Sequence, residues 1–204
     1  AYRLLKRALA SRKAVQRVRR RLAEREPHQP EHYQVAVYFA DGDVNMYQMR
    51  QWYRPLAELS KRWPVVVLSR SATGADKLLD EDGPPVAFVP TIRDLERFIS
   101  SQDIRVVLYV NQNTRNFQMF RYGRRWHVFI NHGESDKMYM TTNQYKAYDC
   151  ALVAGQAARD RLSRTLWDWD IDRRTIEIGR PQADHYSGTL PYVPDERTVV
   201  LYAP

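Results

Sequence analysis

Seven short runs of β-branched and aromatic residues recur along the chain, and stretches of helical composition separate many of them. This alternation is typical of βαβ units, in which helices cover both faces of a parallel sheet. The sequence therefore predicts an α/β fold with a largely parallel sheet. The predicted strands are 35–40, 65–68, 86–89, 105–110, 126–130, 151–154 and 175–178, and the predicted helices are 47–63, 91–100, 141–148 and 156–167, the second opening with a Thr91/Asp94 capping pattern.

The positive charge is concentrated in the first 25 of the 204 residues. That segment has ten Lys/Arg and one acid, Glu24, so the remainder has 22 basic and 23 acidic residues and is close to neutral. A groove that tracks nucleic-acid phosphates needs basic residues spread over the fold. The distribution therefore argues against a nucleic-acid partner, although the net charge of +8 alone would suggest one.

The first segment itself predicts a basic amphipathic helix over residues 1–25. It contains strong helix formers, no internal Pro or Gly, and apolar residues at mostly helical spacing. Pro27 and Pro30 end it and begin a linker over 26–34. The main domain is then expected over 35–197, with 198–204 as one more strand that begins a further domain.

Polar residues follow several predicted strands, where open parallel sheets bind their ligands. The densest group follows the fifth strand and combines an imidazole, a glycine, two carboxylates, a hydroxyl and a lysine within seven residues. A histidine there can accept a proton from an attacking hydroxyl. A glycine lets phosphate approach the backbone. The candidate catalytic residue is therefore His132, and the candidate substrate or phosphate ligands are Asn111, Asn113, Arg115, Asn131, Gly133, Glu134, Ser135, Asp136, Lys137, Gly155 and Arg180.

Spacing alone leaves His132 open to a structural role, since a lone histidine after a strand is often only hydrogen-bonded. The other histidines and Cys150 have no metal-ligand spacing, so the sequence predicts no metal site and no bound cofactor. Phosphate-loop, dinucleotide-binding and nucleophile-elbow motifs are also missing from the sequence. A single cysteine and the lack of a signal peptide or long apolar run predict a cytoplasmic protein whose membrane contact is peripheral.

The stretch INHGESDKMYMTTNQYKAYDCALVAGQAARDRL resembles the His-Gly region of CDP-glycerol glycerophosphotransferases, which build teichoic-acid-like polymers. IEIGRPQADHY is similar to the segment that closes the amino-terminal domain of that family, and VVLYAP to the start of its carboxyl-terminal domain. The resemblance covers about residues 35–204.

This resemblance implies a GT-B architecture of two facing Rossmann-like domains, of which the chain would form the amino-terminal, acceptor-side one. The donor, CDP-glycerol, would bind mainly to the other domain, and the acceptor would be a lipid-linked polyol phosphate. His132 would be the base, with Gly133 as its adjacent glycine. Many members have Thr-Pro-Leu where this chain has Glu134-Ser135-Asp136, and sequence leaves open whether the carboxylates orient His132, bind a metal or contact a polyol.

The basic helix has two interpretations. It can lie on an anionic membrane surface at the inner face of the cell membrane, which suits a lipid-linked acceptor. Otherwise it packs on another domain or is a solvated connector. Two other function classes also stay open, a nucleotide-sugar glycosyltransferase or epimerase of GT-B fold and, less readily, a nucleic-acid-binding protein. The membrane interpretation assigns lipid contact to Arg3, Lys6, Arg7, Arg12, Lys13, Arg17, Arg19, Arg20 and Arg21.

Overall fold

A computed structural model describes residues 2–25, 32–134, 141–184, 188 and 195–200. Within these, seven parallel strands form one sheet in the order β3-β2-β1-β4-β5-β6-β7. The elements are α1 (Tyr2–Ala23), β1 (Val35–Phe39), α2 (Met46–Arg50), α3 (Tyr53–Ser60), β2 (Val65–Ser69), α4 (Ala72–Asp80), β3 (Val86–Phe88), α5 (Ile92–Ser101), β4 (Val106–Tyr109), β5 (Trp126–Phe129), β6 (Cys150–Val153), α6 (Gln156–Thr165), α7 (Ile171–Arg174) and β7 (Thr175–Glu177), with 3-10 turns at Asp43–Asn45, Thr114–Gln118 and Asn143–Ala147.

The predicted α/β fold is confirmed, and each strand lies within one residue of its predicted bounds. The sheet separates two apolar cores because successive strand residues point to opposite faces. On β1, Ala36 and Tyr38 face the core beneath α5 and α6, whereas Val37 and Phe39 face the core beneath α2 and α3. A strand order that reverses between β1 and β4 is that of a Rossmann-type domain.

The helix predicted over 47–63 is two helices, α2 and α3, and the break has a local cause. Pro55 lies in the first turn of α3, where its missing N–H is tolerated. In a continuous helix, the N–H of residue 55 would donate a hydrogen bond to the carbonyl of Gln51. Proline has no N–H to donate, and its ring would clash with that carbonyl. The chain therefore turns at Gln51–Trp52 and restarts.

Two other helix predictions change. The segment 141–148 has only a five-residue 3-10 turn, Asn143–Ala147, so the helix predicted there is wrong. The helix α4 was not predicted, because Gly74 lowers helix propensity. The structure explains that glycine, since a Cβ at Gly74 would lie 2.4 Å from the carbonyl oxygen of Asp41.

The capping prediction for α5 is confirmed, with Thr91 and Asp94 forming a reciprocal capping box. At the carboxyl terminus, residues 198–200 are not in a strand, and 201–204 lie outside the described residues.

The carboxyl-terminal part of α1 packs on α4. Val18 is fully buried against Ala75 and Leu79. Arg21 donates to Asp76 Oδ1 (2.6 Å) and Asp80 Oδ1 (2.7 Å). The helix therefore packs on the α/β domain, which is one of the arrangements that the sequence left open.

Arg17 also pairs with Asp76, and Arg25 donates to the Leu79 carbonyl. Arg17 and Arg21 thus have carboxylate partners within the molecule, and their contact with lipid stays a prediction. Among the described residues, no helix is both long and apolar enough to cross a membrane.

His127 is a buried structural histidine on the core face beneath α5 and α6. Its Nε2 lies 3.2 Å from the Tyr122 carbonyl, which can only accept, so Nε2 carries the proton and Nδ1 accepts from the Tyr109 hydroxyl at 2.7 Å. Desolvation lowers the pKa of His127, against the raising effect of the Tyr122 carbonyl. The neutral imidazole is therefore the folded form.

We expect Val18→Ala to loosen α1 without unfolding the sheet. The lost apolar contact is worth about 1–2 kcal/mol, so amide hydrogen exchange in the carboxyl-terminal half of α1 should quicken roughly 5–30-fold. Gln16→Ala is the matched control, because Gln16 is exposed on the same helix. Equal exchange rates in the wild type and Val18→Ala would contradict the docking of α1.

We also expect His127 to make the domain acid-sensitive. The unfolded imidazole protonates near pH 6.5 and the folded one only at lower pH, so stability falls as pH drops from about 6.5 toward the folded pKa. His127→Gln should reduce this loss in urea unfolding, whereas His32→Gln, at an exposed histidine, should not. An unchanged pH slope in His127→Gln would contradict the assignment.

Candidate functional site

A cleft opens at the carboxyl ends of β1, β4 and β5, where the strand order reverses. Parallel sheets of this type bind ligands at that point because the chains leaving β1 and β4 diverge to opposite faces. The cleft encloses a cavity of about 310 Å³, called here the hydroxyl compartment. Its walls are formed by Asp41, Gln48, Asn111, Gln112, Asn113, Phe129, Asn131 and His132.

Asp41 follows β1 and is held by two amides that follow β4. Asn111 Nδ2 donates to Asp41 Oδ2 at 2.5 Å, and Asn113 Nδ2 donates to Asp41 Oδ1 at 2.7 Å. Asn111 Nδ2 also donates to Gln48 Oε1 at 2.5 Å. The carboxylate is therefore oriented by hydrogen bonds that tie the two sides of the cleft together.

His132 lies directly after β5 and has a defined tautomer. Its Nδ1 is 2.8 Å from the carbonyl oxygen of Val110, which only accepts hydrogen bonds, so the neutral ring carries its proton on Nδ1. Nε2 has no partner among the described residues and is left as an acceptor. The imidazole is thus prepared to receive a proton from a group in the hydroxyl compartment.

The backbone before His132 is unusual and is held on two sides. Asn131 has φ 58, a left-handed conformation that Asn tolerates better than most residues. Its side-chain oxygen accepts from the His132 N–H at 2.8 Å, and its carbonyl accepts from the Trp52 indole. Trp52 reaches it because the α2–α3 break directs the indole toward β5.

Tyr47 completes the surroundings of the imidazole. Its ring meets His132 edge to face, with centroids 5.7 Å apart, and is half exposed at the mouth of the cleft. Gln48 Nε2 donates to the Tyr47 hydroxyl at 3.2 Å. One face of His132 is therefore shielded by an aromatic ring that itself belongs to the amide network.

A second cavity of about 250 Å³ lies on the other side of Asn131, beyond β5, β6 and β7, and is called here the cationic compartment. Gly133, Glu134, Arg161, Gly179 and Arg180 are in its wall. Gly133 has φ 147 and Gly179 φ 66, both in the region that favours glycine. Two cations and one carboxylate give the wall a net positive charge.

Glu134 has a structural role that differs from the three left open by the sequence. Its Oε1 accepts from the Ala154 N–H at 2.6 Å, and its Oε2 accepts from Arg161 at 2.8 Å. It therefore links β5 to β6 and α6, and the Val110 carbonyl, not a carboxylate, orients His132. Arg180 is exposed, and no described carboxylate pairs with its guanidinium.

The remaining predicted ligands divide into three groups. Asn111, Asn113, Asn131 and Gly133 line the two compartments as expected of site residues. Arg115 and Gly155 are in neither described wall. Arg115 is exposed and its N–H donates to the capping side chain of Asn113, and Gly155 precedes α6. Ser135, Asp136 and Lys137 lie outside the described residues. No group of metal-ligating side chains occurs among the residues described.

Four residues at the site are not among those predicted from the sequence: Asp41, Gln48, Tyr47 and Trp52. Asp41 was detectable, since it follows the first predicted strand and that strand borders the switch point. Gln48, Tyr47 and Trp52 had no such signal, because they lie in or next to helix α2 rather than directly after a strand.

Comparison with known proteins finds a similar fold but no relative in sequence. No family model matches the sequence, and no curated protein matches it. Among solved structures, the chain is similar to HepE from Anabaena, crystallised in complex with UDP and glucose, with a TM-score of 0.52 and 12% identity. The similarity covers 73% of this chain and 44% of HepE, so the chain spans less than half of that neighbour. At this identity the likeness shows a shared Rossmann-like α/β fold.

Proposed function

We propose that the chain forms the acceptor side of a transferase that moves glycerol phosphate, or a related polyol phosphate, from CDP-glycerol to an acceptor hydroxyl. The observation that carries the proposal is the state of His132. Its Nδ1 is committed to the Val110 carbonyl, and its Nε2 is an unpartnered acceptor beside a compartment lined with hydrogen-bonding groups. That is the arrangement a general base for a hydroxyl nucleophile requires.

In the proposed step, an acceptor hydroxyl gives its proton to His132 Nε2 as its oxygen attacks the phosphorus that bears glycerol. The bond from this phosphorus to the bridging oxygen of the diphosphate breaks, and CMP leaves with that oxygen. Positioning and charge stabilisation account for most catalysis in phosphoryl transfer. The protein's task is therefore to hold the hydroxyl in line with the donor.

The cationic compartment supports a phosphate on the acceptor. Arg180 supplies a guanidinium without a described carboxylate partner, and Gly133 and Gly179 let the backbone approach an anion. Asn131 lines both compartments, so one acceptor can place its phosphate on one side of Asn131 and its hydroxyl beside His132.

The donor would bind mainly to a second domain, as the resemblance to CDP-glycerol glycerophosphotransferases implies. The 44% share of HepE is what one half of a two-domain architecture would match. Because HepE was crystallised with UDP and glucose, a nucleotide-sugar donor is the second candidate. Supplying CDP-glycerol, CDP-ribitol and UDP-glucose to a protein that carries both domains, and measuring the released nucleotide, separates the two candidates. We expect CMP from CDP-glycerol.

We expect His132→Ala to lower turnover by a factor of about 10²–10⁴, the usual contribution of a general base. CDP-glycerol affinity should stay nearly unchanged, because the imidazole acts on the acceptor. CMP release and calorimetric donor binding measure the two quantities. Added imidazole should restore part of the turnover.

The control is His32→Ala. His32 is exposed and precedes β1, so it lies at the amino ends of the strands, opposite the cleft. Near-normal turnover by His132→Ala, with His32→Ala equally active, would overturn the role of His132.

We further propose that the part of α1 not docked on α4 contacts an anionic membrane surface. Lys6, Arg12 and Lys13 are exposed and have no partner among the described residues. Each cation near an anionic surface contributes about 1 kcal/mol. Peripheral attachment of this kind would bring the cleft to a lipid-linked acceptor.

Replacing Lys6, Arg12 and Lys13 by Glu should therefore abolish co-sedimentation with vesicles containing phosphatidylglycerol. A control with Lys61, Arg62 and Arg121 changed to Glu has the same charge change on the α/β domain and should still sediment. Equal binding of the wild type to purely phosphatidylcholine vesicles would contradict the proposal.

A further inference from the structure

We infer that Asp41 binds the vicinal hydroxyl pair at the reacting end of the acceptor and so selects a terminal 1,2-diol. The inference rests on the proposed function, because it concerns the acceptor that His132 would activate. It assigns a role in acceptor specificity to Asp41 and describes the acceptor as a polyol with two adjacent free hydroxyls.

The first support is the remaining acceptor capacity of Asp41. A carboxylate has about four lone-pair positions, and two are used by Asn111 and Asn113, one on each oxygen. Both oxygens can therefore accept one more hydrogen bond. Two adjacent hydroxyls match two carboxylate oxygens held in one orientation.

The second support is that the amides around Asp41 largely satisfy one another. Asn111 Oδ1 accepts from the Asn113 N–H at 3.2 Å, and Asn113 Oδ1 accepts from the Arg115 N–H at 2.8 Å. Gln48 Oε1 accepts from Asn111. The strong acceptors left for a ligand in the described wall are Asp41 and His132 Nε2.

The third support is an unpartnered donor in the same wall. Gln112 Oε1 accepts from the Thr142 hydroxyl at 2.6 Å, whereas Gln112 Nε2 is buried with no acceptor among the described residues. A buried amide N–H without a partner is costly unless a ligand supplies one. A hydroxyl oxygen can accept from Gln112 while its proton is donated to Asp41, so one diol satisfies both.

The opposite charges of the two compartments orient the acceptor. Asp41 is the one carboxylate in the described wall of the hydroxyl compartment, and no Lys or Arg lies in that wall, so the neutral end of the acceptor is favoured there over its phosphate. The cationic compartment has the opposite sign. The acceptor therefore enters with its neutral diol toward Asp41 and His132 and its phosphate toward Arg180.

The test compares two acceptor phosphates that differ by one hydroxyl, glycerol 3-phosphate and 3-hydroxypropyl phosphate. In the wild type we expect kcat/KM for CMP release from CDP-glycerol to be 10- to 100-fold higher with the diol. Asp41→Asn should reduce this preference to less than threefold, since an amide places an N–H where a hydroxyl must donate. Asn113→Ala, which keeps the charge but frees Oδ1, should weaken the preference partially.

Asp43→Asn is the matched control, because Asp43 is exposed two residues away and is not in the cavity wall. It should keep the wild-type preference. Equal use of both acceptors by the wild type, or an intact preference in a folded Asp41→Asn variant, would overturn the inference.

Binding measured by NMR separates this inference from the proposed function. The wild type should bind glycerol 3-phosphate more tightly than 3-hydroxypropyl phosphate whether or not CDP-glycerol is turned over, and Asp41→Asn should not. Discrimination in binding, with no CMP release by the protein that carries both domains, would reject the proposed donor and retain diol recognition. CMP release without discrimination would do the reverse.

Discussion

The parallel pairing of β1 with β4 is the constraint on which the site depends. Val35, Ala36 and Val37 lie opposite Val106, Val107 and Leu108, and the two strands send their following segments to different faces of the sheet. The gap between those segments is the hydroxyl compartment. Once it exists, short polar side chains at the strand ends, Asp41 and Asn111, are close enough to bond across it.

The neighbouring pairing of β4 with β5 determines how His132 is oriented. Ile130 N donates to the Tyr109 carbonyl at 2.9 Å, continuing the β4–β5 ladder to the end of both strands. The next carbonyl along the chain, that of Val110, then lies within reach of His132 Nδ1. A backbone group of the sheet therefore selects the tautomer, and the left-handed Asn131 turns the ring out of the sheet. The chemistry of the site depends on sheet geometry more than on neighbouring charges.

The sheet was predictable from sequence because buried parallel strands need continuous β-branched and aromatic runs, and each of the seven was found within one residue. The positions of His132, Asn111 and Asn113 in the cleft were also predictable, since these residues follow strands directly. Helices were less predictable where tertiary contacts, rather than helix propensity, determine whether a helix forms. Gly74 makes α4 a poor helix by propensity, yet the close approach of Asp41 requires a residue without a Cβ. Glu134 could not be assigned, because its partners Ala154 and Arg161 are brought near only by the β5–β6 pairing.

The central claim is that His132 presents an unprotonated Nε2 to the acceptor hydroxyl. Long-range ¹H–¹⁵N NMR of the histidine side chains measures the tautomer directly, in the neutral imidazole and with glycerol 3-phosphate added. We expect His132 to carry its proton on Nδ1 and the ¹⁵N signal of Nε2 to shift when the hydroxyl binds. A proton on Nε2 in the neutral ring, with no response to the ligand, would contradict it.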